Sequence, residues 1–252
     1  MPKKRKIDVT SAIRGQAIVE VVMANRILAN EGILDALGHV SLRNPENPAT
    51  FFQARSLSPL EVTRDDILEI DLDGNVVTNA GVKPYGERFI HASILRARAD
   101  INAVFHGHPL PVIIFSVTGI PIRPVTHVGG FLYQGVPPIY DDYEAGDGML
   151  IRSRNEGDRI AHNLGQYRVQ LLRGHGCNIV AENIRALVAS AIYLNFNATI
   201  QLQALQLGKE PTYLTAEQAR EAMEVALFDP LPLDRMWSYW IAKARMNMPD
   251  IG

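Results

Sequence analysis

Tyr85-Gly-Glu-Arg-Phe-Ile-His-Ala-Ser-Ile-Leu-Arg-Ala-Arg-Ala-Asp-Ile-Asn-Ala-Val-Phe-His-Gly-His-Pro109 decides how this chain is read. Gly86 to Arg98 reads as a helix, which puts Glu87 and His91 one turn apart on one face. Beyond it the apolar run Ile101 to Phe105 is closed by His106, Gly107 and His108. Side chains at i and i+2 of a strand share a face, so both imidazoles can serve one cation while the glycine keeps the backbone between them slim. A third ring nitrogen is available at His175, between Gly174 and Gly176, after the strand-like run Val169 to Leu172. Three histidines and a nearby carboxylate form the plan of a catalytic, rather than a structural, divalent-metal centre. The pair H-x-H alone is a weak signal, because a histidine at a strand end is usually an ordinary structural residue.

The surrounding text strengthens it. The quoted stretch resembles the core of the class II aldolase/adducin family, in which a helix bearing Glu leads into the strand bearing H-x-H. Arg173-Gly-His-Gly176 is similar to the family's later histidine motif. Ala24 to Arg43, reading Ala-Asn-Arg-Ile-Leu-Ala-Asn-Glu-Gly-Ile-Leu-Asp-Ala-Leu-Gly-His-Val-Ser-Leu-Arg, resembles its N-terminal helix and substrate loop. The resemblance implies a single α/β domain, a three-layer α/β/α sandwich about a largely antiparallel sheet. It also implies homo-oligomers, tetramers or a multiple, with sites at subunit interfaces.

Composition agrees with a soluble enzyme. The 252 residues, 47% hydrophobic, can bury a substantial core as one domain, residues 1–227, followed by a helical tail, 228–252, packed on the body or on a neighbour. A net charge of −2 gives no broad electrostatic case for nucleic acid or membrane. No apolar stretch approaches the ~20 residues of a membrane span and no signal-peptide core follows the start, so the expected location is the cytoplasm. The single cysteine, Cys177, excludes an intrachain disulfide and reads as a small buried residue. Lys3-Lys4-Arg5-Lys6 reads as a solvated basic arm rather than a nuclear-import signal.

Along the chain, helices and strands alternate without repeats. Residues 11–31 read as an amphipathic helix. Val40 to Arg43 and Phe51 to Ala54 read as short strands about the turn Asn44-Pro-Glu-Asn-Pro48. Thr63-Arg-Asp-Asp66 looks like a helix or turn start, and Ile67 to Leu72 like a strand entering a turn at Asp73-Gly74. Strands are expected at 101–106, 111–117 and 169–180, and helices at 155–164, 182–207 and 215–226. The tail holds both tryptophans, Trp237 and Trp240.

The chain departs from the family's sugar-phosphate aldolases in three places. Those enzymes hold phosphate with a Gly-Asn-x-Ser loop, a Thr-Pro-Ser/Thr-Gly loop and paired serines before the glutamate. Here the three places read Gly38-His39-Val40-Ser41, Gln53-Ala-Arg-Ser-Leu-Ser-Pro59 and Lys83-Pro84-Tyr85-Gly86. Loss of small hydroxyls and cradling glycine argues against a phosphorylated substrate. Arg55 offers instead a planar two-point contact to a carboxylate, with His39 and Ser58 as further donors and Tyr85 as a substrate contact. The aldolases' tyrosine, which reaches into a neighbouring subunit's site, is replaced by His127, whose imidazole exchanges protons more readily near neutral pH. Each of these has a plain structural reading too: a surface ion pair for Arg55, turn fixing for His39, loop capping for His127. His162 reads as a surface residue.

These departures resemble the branch that decarboxylates hydroxylated aromatic or heteroaromatic ortho-dicarboxylates, of the dihydroxyphthalate or hydroxymethylpyridine dicarboxylate type. The resemblance implies one divalent ion per subunit on His106, His108 and His175, with Glu87 as fourth ligand or as acid/base. Manganese or zinc comes first, and cobalt or iron is compatible with the same donors. His127 is the second acid/base, and the partner is a small carboxylate substrate. Three alternatives stay open: a retro-aldolase acting on a non-phosphorylated hydroxy-keto acid, an iron-dependent oxygenase, and an adducin-like module without activity.

Overall fold

The computed structural model describes residues 9–78, 81–146 and 148–248. The basic stretch Lys3 to Lys6 lies outside them. Among the described residues seven strands form one sheet: β1 (His39–Arg43), β2 (Thr50–Ala54), β3 (Ile67–Asp71), β4 (Ala103–Gly107), β5 (Ile139–Tyr140), β6 (Val169–Leu172) and β7 (Gly176–Ala181). Their spatial order is β3-β2-β1-β4-β7-β6-β5. All neighbours pair antiparallel except β5 with β6. The turn between β1 and β2 is set by Asn44, whose side chain donates to Thr50 Oγ1 and to Glu69 Oε1 on β3.

The α-helices among the described residues are α1 (Val9–Asn30), α2 (Arg88–Ala97), α3 (Leu110–Thr118), α4 (Arg154–Leu164), α5 (Ile184–Gln206), α6 (Ala216–Met223) and α7 (Pro230–Asn247), and they cover the two faces. On one face Ile27, Leu28, Phe105, Phe115, Leu187 and Leu194 form a core beneath α1, α3 and α5. On the other, Phe51, Val104, Val180, Ile90, Ile94 and Ile160 join the sheet to α2 and α4. Strand alternation explains the division, since Phe105 and Val104 leave β4 on opposite faces. The result is a single-domain α/β fold in three layers.

Local chemistry sets the helix starts. Ser153 and Glu156 form a capping box at α4, and Asn183 accepts from the Ala186 amide at α5. The segment expected as strand 111–117 is instead helix α3. Its flanking Pro109 and Pro111 were the overlooked signal, because proline suits the first turn of a helix, and Gly119 ends it at φ +70°. Val112, Phe115 and Ser116 are its buried stripe, a helical spacing hidden within a short apolar run. The run expected as one strand at 169–180 is a hairpin, β6 and β7, with His175 in its turn. Helix α7 lies against α1 and α5 of its own chain, with Trp237 and Trp240 buried. Among the described residues no helix is long and apolar enough to cross a membrane.

Helices α2 and α4 meet with backbone-level closeness at Gly157. A Cβ there would stand 2.5 Å from the Phe89 carbonyl oxygen and 2.6 Å from Ser93 Oγ. Glu87 precedes α2, so this contact fixes the height of its carboxylate above the sheet. Gly157→Ala is expected to lower unfolding free energy by about 1–3 kcal/mol through overpacking. Urea denaturation measures it, and an unchanged midpoint would show that the helices have room to part.

Candidate metal centre

On the α2 side of the sheet four polar side chains stand in cross-strand register: His39 opposite His106, His106 opposite Asn178, and Asn178 opposite Gln170. Three of them are tied in sequence. His106 Nδ1 lies 2.8 Å from Asn178 Oδ1, Asn178 Nδ2 donates to Gln170 Oε1 at 2.8 Å, and Gln170 Nε2 donates to the Ile160 carbonyl at 2.9 Å. A carbonyl oxygen only accepts, so Gln170 must turn its amide nitrogen to Ile160 and its oxygen to Asn178. Asn178 must then turn its own oxygen to His106. The proton of His106 therefore sits on Nδ1, and Nε2 carries a lone pair.

That nitrogen is buried and has no hydrogen-bond partner. A buried acceptor left alone is costly, so this position calls for an electrophile. His108 is prepared the same way, with its Nδ1 3.1 Å from each carboxylate oxygen of Asp35. Asp35 also accepts from the amides of Leu37 and Gly38. Burial pulls the Asp35 pKa up, but His108 and these amides outweigh it and hold it below the usual range. A carboxylate or amide behind each imidazole orients the opposite nitrogen, the arrangement found behind metal-binding histidines. Ring nitrogens of His106, His108 and His175, one from each, lie within 4.8 Å of one another. The donor set fits a divalent cation.

Glu87 faces this group. Its Oε2 is 3.6 Å from His106 Nε2 and its Oε1 3.8 Å from His175 Nε2, while Oε1 also accepts from the Ile151 amide. Burial raises the Glu87 pKa, against the pull of His175. Burial, then neighbouring His108, takes His106 down to about 3. Burial, then His106, takes His175 down to about 4, with Glu87 opposing. Both imidazoles are thus neutral at pH 7 and have no proton to lose when they bind a cation. Gly107 earns its place between the histidines, since a Cβ there would stand 2.6 Å from Phe105 Cζ.

A cleft of about 630 Å³ opens onto these groups, lined by Glu87, His108 and His175 and by His39, Ser58, Tyr85 and Arg152. His39 is buried, with its ring centroid 4.5 Å from Tyr85 and 5.2 Å from His106. Its Nδ1 is 2.7 Å from His91 Nε2, and His91 Nδ1 is 2.7 Å from Ser41 Oγ. Burial, first of all, holds both imidazoles well below their usual range. The Tyr85 hydroxyl donates to the Leu57 carbonyl, and burial pushes its pKa up to about 12. Cys177 is the small buried residue expected: its thiol is fully buried, and burial raises its pKa.

Two expected site residues lie apart. Arg55 gives its Nε to Asp66 at 2.6 Å, and the cleft wall runs through Ser56, Leu57 and Ser58 instead. His127 opens a short 3-10 helix, His127–Leu132, and lines a different cleft, with Tyr193, Tyr239 and Trp240. The sequence reading passed over Asp35, Asn178, Gln170 and Arg152. Gln170 and Asn178 left a trace, as amides inside strands otherwise apolar on both faces.

Comparison with known proteins gives the family and the fold. The profile of the Class II Aldolase and Adducin N-terminal domain matches residues 19–202. The decarboxylase tropJ of Talaromyces stipitatus is 35% identical over 196 residues, 72% of this chain and 73% of that protein. A 3,4-dihydroxyphthalate decarboxylase of Arthrobacter keyseri is 36% identical over 203 residues, 75% of this chain and 78% of its own. The solved L-fuculose 1-phosphate aldolase of Glaciozyma antarctica PI12 shares the fold, with a TM-score of 0.79 at 23% identity, over 98% of this chain and 96% of that one.

Asn178→Leu removes the acceptor that fixes His106, and metal affinity is expected to fall about 10- to 100-fold. Competition against a chromophoric chelator reads this, and an unchanged affinity would show that the tautomer is set elsewhere. The depressed histidines also predict a pH effect in the metal-free protein. Folded values of about 3 and 4 lie below the ordinary 6.5, so the unfolded chain binds more protons between them. Stability is then full above about pH 6.5 and falls as pH drops through 4 toward 3. Glu87, raised by burial, works in the opposite sense in its own range. Urea midpoints at about pH 7 and pH 5 test the sign, and equal midpoints contradict it.

Proposed function

The chain belongs to the class II aldolase and adducin family and is an enzyme, a carboxy-lyase; we propose that its substrate is a hydroxylated aromatic or heteroaromatic ortho-dicarboxylate. The observation that carries this reading is the wall of the cleft beside His106. His39 and Tyr85, packed ring against ring at 4.5 Å, fill the ground where a phosphate would need small hydroxyls and open backbone amides. The similarity to a 3,4-dihydroxyphthalate decarboxylase supports the same substrate class.

In this proposal His106, His108 and His175 hold one divalent ion, manganese or zinc foremost, with cobalt or iron accepted by the same donors. Such an ion would supply Lewis-acid stabilisation of the charge left on the ring, worth several kcal/mol. Glu87 handles the proton. Its carboxyl favours protonation because it is buried, so it can deliver a proton to the ring carbon as the bond to carbon dioxide breaks. The bonding pair stays on that carbon, carbon dioxide leaves, and water returns the proton to Glu87. His39, held by His91 and Ser41, orients a substrate oxygen, and Ser58 and Tyr85 bound the ring. Arg55 acts through Asp66, whose carboxylate also accepts from Thr63, to hold the loop that carries Ser58. His127 serves as acid/base only from a neighbouring copy of the chain, since within its own chain it lines the other cleft.

Chelator-stripped protein given manganese is expected to release carbon dioxide from 3,4-dihydroxyphthalate or 3-hydroxy-2-methylpyridine-4,5-dicarboxylate, with His106→Ala at least ~100-fold slower. Two organic fragments and no carbon dioxide would move the assignment to a retro-aldolase. Co-expressed Glu87→Gln and His127→Ala subunits, each inactive alone, are expected to regain part of the activity in mixed oligomers. No recovery in verified mixed oligomers removes His127 from the mechanism.

A further inference from the structure

We propose that Arg152 binds the carboxylate that the substrate keeps, and so makes the cleft selective for adjacent dicarboxylates over monocarboxylates. This rests on the decarboxylase reading for the identity of the substrate, though not for the presence of an anion site.

Arg152 is the one arginine or lysine among the described residues that line the cleft. The acids there are Asp35 and Glu87. A dianion entering the cleft therefore meets one fixed protein cation. Its guanidinium is also free to bind, because it makes no side-chain hydrogen bond or ion pair with any described residue. Most arginines on this side of the sheet are already engaged: Arg55 with Asp66, Arg96 and Arg154 with Asp73 and Asp158, Arg159 with Asp142 and Glu144, Arg173 with Asp141. Arg55 has its Nε occupied, which removes one edge of the fork needed for two-point contact.

The backbone beneath Arg152 is pinned to the site. The Ile151 amide donates to Glu87 Oε1 at 3.0 Å, and the Arg152 amide donates to Glu156 Oε2 at 2.9 Å. Arg152 thus sits one residue from the group that grips the carboxylate facing the histidines. A Cβ on Gly86 would stand 3.9 Å from Arg152 Cγ, so the aliphatic stem runs along the backbone just before Glu87. An exposed guanidinium without a side-chain partner, beside the carboxyl that faces the histidines, suits a planar diacid, with one carboxylate at the reacting end and its neighbour at the rim.

The test is equilibrium binding of phthalate and benzoate, neither of which carries the ring hydroxyls, to manganese-loaded protein by calorimetry. Wild type is expected to prefer phthalate, and Arg152→Gln to lose about 10- to 100-fold in phthalate affinity with benzoate little changed. Arg152→Lys should keep part of the preference, as a point charge without the fork. Thermal melts establish that each variant is folded. Phthalate affinity indifferent to Arg152→Gln, or a loss confined to Arg55→Gln, overturns the proposal. Binding of phthalate through Arg152 in a protein that releases no carbon dioxide from any dicarboxylate supports the anion site and removes the decarboxylase reading. Carbon dioxide release with no dependence on Arg152 in phthalate binding removes the anion site alone.

Discussion

The chain of hydrogen bonds from the Ile160 carbonyl through Gln170 and Asn178 to His106 is the constraint on which the centre depends. It runs across three strands, β6, β7 and β4, and works only if their register holds, because a slip of one residue turns every side chain to the opposite face. Burying such a row between sheet and helix is tolerable only when each member is paired. Here the pairing is complete except at His106 Nε2, the end of the chain. The fold thus delivers an unsatisfied lone pair to one chosen point, and the hydrophobic cores on both faces hold the strands that deliver it.

Electrostatics around that point follow from burial and crowding. Close imidazoles repel one another's protons, and the low-dielectric surroundings penalise each charge, so His39, His91, His106 and His175 are all driven toward the neutral form. The same burial acts in the opposite sense on Glu87, which comes to favour its proton. One environment thereby favours neutral imidazoles and a protonated carboxyl side by side.

Much of this was legible in residue order. His-Gly-His at the end of an apolar run and His175 between glycines mark side chains that a sheet brings together, and alternation locates most strands. The prolines before Val112 were outweighed by an apolar run too short to show its period, so a helix was read as a strand. Asp35 and Asn178 were missed because the histidines they hold lie far along the chain, and Gln170 because it meets Asn178 only once β6 and β7 pair. Arg55 looked like a free cation until the fold set Asp66 against it, whereas Arg152 gave no sign in its loop. His127 shows the limit from the other side: its place in a second cleft is a property of packing that spacing does not encode.

The most direct measurement of the central claim is the tautomer of His106, read by nitrogen-15 NMR on the metal-free protein near pH 7 with imidazole labelling and a His106→Gln variant for assignment. The account predicts a proton on Nδ1 and an unprotonated Nε2, which then takes up cadmium-113 coupling when that ion is added. A proton on Nε2, or cadmium coupling that spares His106, would contradict it.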